Sequence, residues 1–132
     1  MNAYFFERLC RRNDAELAVW AVDPRSGELS LDDLRGLLDE RVKVVCMTHS
    51  SNIIGSVNPV EEGGGLCRGH GGRVLIDGVS YAPHQWPDLP ALQPDAYCFS
   101  ADKTYATHLG VMYKAPGFAE TLEPQCHYFN RG

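Results

Sequence analysis

Apolar positions along this chain fall into short runs with two different periods. Residues 4–12 (YFFERLCRR) carry them at helical spacing, whereas 16–22 (ELAVWAV) reads as a strand. After the turn DPRSGEL, Ser30 stands as an N-cap with Asp33 three residues on. This predicts a helix through Glu40 with Leu31, Leu34, Leu37 and Leu38 on one face. VKVVCMT (42–48) is nearly continuous in apolar residues and of strand length, the pattern of a strand buried on both faces. A loop, HSSNIIGSVNP, follows, and Asn58-Pro59 opens a further helix. RVLID (73–77), DAYCFS (95–100) and GVMYK (110–114) complete a set of five predicted strands. Strands separated by helical segments imply βαβ units, so the expected fold is α/β, a three-layer αβα arrangement with a mostly parallel sheet.

One segment disagrees with its neighbours. EEGGGLCRGHGG (61–72) fills the slot of a crossover helix but carries many glycines, each costing about 1 kcal/mol in a helix interior relative to alanine. A phosphate-binding loop is excluded, because such a loop follows a strand and opens a helix, and this run precedes RVLID. The spacing from Gly64 to Gly69 also lacks the Lys-Ser/Thr that would follow. A frayed helix is expected here.

Composition changes the picture little. The 132 residues suit one domain with a real core, and 44% apolar with 22% charged residues is ordinary for a globular protein. A formal net charge of -5 argues against undirected affinity for nucleic acid or anionic membranes. Neither a signal peptide nor a membrane-length apolar stretch is legible. Five cysteines (10, 46, 67, 98 and 126) form no C-x-x-C pair, which suits neither a disulfide framework nor a zinc ribbon; a reduced, cytoplasmic chain is expected. His49, His84, His108 and His127 show no i, i+4 pair, so no helical zinc site is expected.

Chemistry concentrates at the carboxyl ends of the predicted strands, where open α/β sheets bind ligands. These ends read Thr48-His49-Ser50-Ser51-Asn52, then Asp77-Gly78-Val79-Ser80-Tyr81, then Ser100-Ala101-Asp102-Lys103. An acid closing one buried strand and a lysine just past another suggest pyridoxal 5'-phosphate. That cofactor needs a lysine for its Schiff base, an acid to keep the pyridine nitrogen protonated, and donors for its phosphate. Each residue also has a plain structural role to weigh. Asp77 can cap the turn before Gly78, Asn52 can shape its loop, and Ser100 can satisfy its own backbone.

The ordered motifs HSSNIIGSVNPV, VLIDGVSYAPH, DAYCFSADK and LGVMY resemble the class V aminotransferases, fold-type-I pyridoxal-phosphate enzymes, and within them the cysteine-desulfurase-like subgroup. The resemblance covers nearly the whole chain. It implies Lys103 as the Schiff-base lysine and Asp77 as partner of the pyridine nitrogen. It also implies Ser100 at the phosphate, Asn52 beside substrate carboxylate and cofactor, and Ser80 in place of a glutamine that reaches the ring hydroxyl. It further implies a small amino-acid substrate and a homodimeric parent.

Three features depart from that pattern. Asp102 stands where histidine commonly precedes the lysine, Ala106-Thr107 replaces Gly-Pro, and the crossover helix is glycine-rich. Family members are also much longer. On this reading residues 1–132 are a partial cofactor-binding large domain, without the N-terminal phosphate loop or the C-terminal small domain, and no cysteine here is a persulfide nucleophile. The other expectation is a non-catalytic α/β remnant that binds the cofactor weakly or not at all.

Overall fold

The computed structural model describes residues 3–123. Its elements are helices α1 (Ala3–Arg12) and α2 (Leu31–Leu37), strand β1 (Val44–Thr48), α3 (Val60–Gly69), β2 (Arg73–Asp77), α4 (Leu89–Leu92), β3 (Ala96–Ser100), β4 (Gly110–Lys114) and α5 (Pro116–Ala119). Cys126 and His127 lie outside the described residues.

The strands form one sheet in the order β1-β2-β3-β4. β1, β2 and β3 run parallel, while β4 returns antiparallel to β3. Register aligns Met47 with Ile76 and Ile76 with Tyr97, so these three side chains share a face, and all are almost fully buried. Val60 and Cys67 of α3 and Leu92 of α4 join them in one apolar cluster. Burial of each large aliphatic side chain there contributes about 1.5–3 kcal/mol. At the start of β2, Asp95 ties two parallel strands together. Its carboxylate accepts from the Val74 amide at 2.7 Å and from Arg73 at 2.9 Å. On the opposite face by alternation, the Arg73 guanidinium lies 5.8 Å from the Phe118 ring of α5.

The α/β class and mostly parallel sheet are as the sequence implies. Outside the glycine-rich crossover, three local expectations need correction. Residues 16–22 form no strand; only Val22 pairs, in an isolated bridge with Leu29, and Val19 is 66% exposed. Of these residues Trp20 packs inward: its indole Nε1 donates to Ser30 O at 2.8 Å while its ring lies over Gly63. β1 is an edge strand rather than one buried on both faces, with Val44 51% exposed. α2 is capped by Ser30 as expected but stops at Leu37, because Leu38 turns extended and Asp39 accepts the Arg41 amide in a following turn.

The glycine-rich crossover is a continuous helix from Val60 to Gly69, with no frayed middle. Gly63 and Gly64 are buried against Leu34, Trp20 and Val74, so packing compensates their poor propensity. Gly65 has no such reason, since a methyl group there would meet nothing within 4 Å. Gly65→Ala is therefore expected to stabilise the chain by about 1 kcal/mol, read as a higher urea midpoint at unchanged slope.

Candidate active site

The loops that follow β1, β2 and β3 leave the same edge of the sheet, because these strands are parallel and adjacent. That edge gathers Asn52, Asp77, Ser80, Ser100 and Lys103. Asp77 ends β2 opposite Cys98, and Ser100 lies two residues beyond Cys98, so Asp77 and Ser100 face the same side of the sheet.

Asp77 is half-buried, and its Oδ1 accepts from the Val79 amide at 3.0 Å. This bond fixes the carboxylate at the start of a tight turn, closed by the Tyr81 and Ala82 amides on Gly78 O. Ser80 is half-buried on that turn. Asn52 is exposed at the tip of the first loop. The loop is closed by an isolated bridge between Ser50 and Val57, and Ser51 Oγ accepts the Ile53 and Ile54 amides. Asn58 fastens its base, its Nδ2 donating to Thr48 O at 2.7 Å. Lys103 is exposed on a 3-10 turn, Ala101–Thr104, that follows β3 directly. Ser100 donates its hydroxyl proton to Asp102.

Behind the Asp77 turn stands a histidine to which the sequence assigned no partner. His49 is 5% exposed, its ring stacks on Tyr81 with centroids 3.5 Å apart, and its Nδ1 lies 2.9 Å from the Tyr97 hydroxyl. The His49 amide donates to Asp77 O at 2.8 Å. Burial pushes its pKa down to about 4, so the ring is neutral in ordinary conditions. Tyr97 presses on Gly78 so closely that a methyl group there would sit 2.2 Å from the ring. The tyrosine inside DAYCFS and the glycine after Asp77 carried this signal, but only their juxtaposition reveals it.

The cysteines near the sheet are poor nucleophiles. Burial first, then neighbouring Cys67 and Cys98, raises Cys46 to about 11, and burial also raises Cys67 and Cys98. Protonated thiols at these positions suit core packing.

Asp77 and Lys103 thus stand near the carboxyl edge of a mostly parallel sheet in an α/β chain. The profile of the family described as aminotransferase class-V matches residues 2–127, and the chain belongs to that family. It is 37% identical over 124 residues to a cysteine desulfurase of Salmonella newport (strain SL254), spanning 93% of this chain but 30% of that protein. Among solved structures, the apo cysteine desulfurase from Thermococcus onnurineus NA1 superposes with a TM-score of 0.83 at 29% identity, over 91% of this chain and 30% of the other. The cysteine desulfurase CsdA (S-sulfonic acid) from Escherichia coli shares the fold, with a TM-score of 0.79 at 23% identity over 86% of this chain and 28% of its own. The chain thus spans about a third of the length of the relatives it matches.

The donor set fits a pyridoxal cofactor at the ring end. Asp77 spends Oδ1 on Val79, which leaves Oδ2 for a protonated ring nitrogen. Lys103 offers an exposed amine on the neighbouring loop. At the phosphate end the match is poorer, since the Ser100 hydroxyl is already committed to Asp102.

Proposed function

We propose that this chain is the central segment of a pyridoxal-phosphate-dependent enzyme acting at the Cα of a small amino-acid substrate, with Lys103 as the lysine that carries the cofactor. The observation behind this reading is that Asp77 closes β2 and Lys103 lies on the turn that directly follows the neighbouring β3, at one carboxyl edge. When bound, the cofactor supplies an electron sink for bonds broken at Cα. Asp77 Oδ2 would hold the proton on the ring nitrogen, and the Lys103 amine would accept and return a proton at Cα. Ser80 and Asn52 would lie toward the ring hydroxyl and the substrate carboxylate.

The parent is proposed as a homodimer, supported by the exposure of Ile53 (86%) and Trp86 (84%), apolar surface that association would cover. No nucleic-acid partner is proposed. Among the described residues no helix is long and apolar enough to cross a membrane, and Cys10, Cys46, Cys67 and Cys98 are free. A second reading, a remnant with weak cofactor affinity, is favoured by one observation, the Ser100–Asp102 hydrogen bond.

The test is incubation with pyridoxal or its phosphate, borohydride reduction and peptide mapping. Lys103 should carry the label well above Lys43 and Lys114, and Lys103→Ala should abolish it. A label concentrated on Lys43 or Lys114 would sink the assignment.

A further inference from the structure

Beyond β3 the chain makes a closed turn. Thr104 Oγ1 donates to Ala101 O at 2.8 Å, the Ala106 amide to the same carbonyl at 3.1 Å, and the Ala101 amide to Leu109 O at 2.8 Å. Tyr105 completes it in the left-handed region, at φ 64. Within this turn Asp102 Oδ1 accepts the Ser100 hydroxyl, and Asp102 Oδ2 lies 3.7 Å from His108 Nδ1. A serine hydroxyl has one proton to give. While Asp102 holds it, Ser100 offers an anion only its lone pairs. The Ser100 bond, more than the charges of His108 and Lys103, keeps the Asp102 carboxyl below its ordinary value, so it is ionised at neutral pH. An anion arriving here meets a fixed negative charge and a hydroxyl turned away from it.

We propose that Asp102 makes this turn disfavour the cofactor's phosphate, so that this chain on its own accepts pyridoxal, with its neutral hydroxymethyl arm, at Lys103 in preference to pyridoxal 5'-phosphate. The proposal rests on the reading of Lys103 as the cofactor-bearing lysine. In both cases the chemistry at Lys103 is the same. The aldehyde carbon bonds to Nζ and water leaves, so a difference between the two ligands reports the phosphate alone.

The experiment uses the 132-residue chain as wild type, Asp102→Asn, Asp102→His and Ser100→Ala, each checked for folding by circular dichroism. Each is incubated at low salt with pyridoxal or with pyridoxal phosphate and reduced with borohydride. Label on the Lys103 peptide is then normalised to that on Lys43 and Lys114, which corrects for the different intrinsic reactivity of the two aldehydes. Wild type should favour pyridoxal at Lys103. Asp102→Asn should raise phosphate-form labelling about fivefold and change pyridoxal labelling less than twofold, and 0.5 M salt should shrink the gain. Asp102→His should raise it further, by adding a donor. Ser100→Ala should leave the phosphate form disfavoured, since the charge remains. Equal changes with both ligands, no change with either, or a wild-type preference for the phosphate would overturn the proposal while leaving Lys103 assigned. Absence of selective Lys103 label with either ligand in every variant would overturn the assignment itself, and this proposal with it.

Discussion

Gly78→Ala is expected to destabilise the chain by roughly 3 kcal/mol, the upper end for overpacking a core. The added methyl would sit 2.2 Å from Cε1, Cζ and Oη of Tyr97. Such a clash is mild only when the neighbour can move, and Tyr97 cannot: it is 1% exposed, lies in the middle of the core cluster and is bonded to buried His49. The strain would fall on the junction between β2 and its turn, where the Gly78 amide donates to Cys98 O at 2.7 Å and Asp77 takes its orientation. Urea unfolding of Gly78→Ala, Tyr97→Ala and the double variant gives the decisive comparison. Tyr97→Ala alone should cost about 4 kcal/mol through cavity formation. If the ring is what the methyl strikes, the double variant should be no less stable than Tyr97→Ala by more than about 0.5 kcal/mol. Full additivity would show that Gly78 is required for another reason.

The second large effect is acid sensitivity set by His49. Its pKa in the folded chain is about 4, against an ordinary 6.5, because burial disfavours the charged ring. Between these values the unfolded chain binds a proton that the folded chain refuses, so stability falls as pH falls through this window and is fully present above it. The gap corresponds to about 3 kcal/mol lost by pH 4. The carboxyls of Asp39 and Asp102 are held below their ordinary value, Asp39 chiefly by the Arg41 side chain and Asp102 by the Ser100 hydroxyl, so their contributions are lost only at more acid pH. Urea midpoints measured from pH 7 to pH 4.5 should therefore decline steeply in wild type and much less in His49→Gln. A variant whose decline matches wild type would assign the acid sensitivity elsewhere.

The elements most legible in the sequence were those whose local chemistry was sufficient. RVLID and GVMYK became strands with the bounds their apolar runs suggested, and Ser30 capped α2 through the Asp33 amide. ELAVWAV failed because an apolar run states only that a segment can be buried, not that a neighbouring strand exists to receive its backbone. The glycine-rich crossover failed the opposite way. Its helix is maintained by contacts with Trp20, Leu34 and Val74 that propensity does not register.

The sequence by itself determined the α/β class, the family and which residue types stand at the strand ends, because periods of two and 3.6 and ordered motifs are local properties. Only the tertiary structure decided that β1 is an edge, that His49 is buried between Tyr81 and Tyr97, and that Ser100 gives its proton to Asp102. These depend on distances between segments tens of residues apart, or on the turn that brings two side chains face to face. Burial and hydrogen-bond partners arise from that juxtaposition, and with them the charge states of His49 and Asp102.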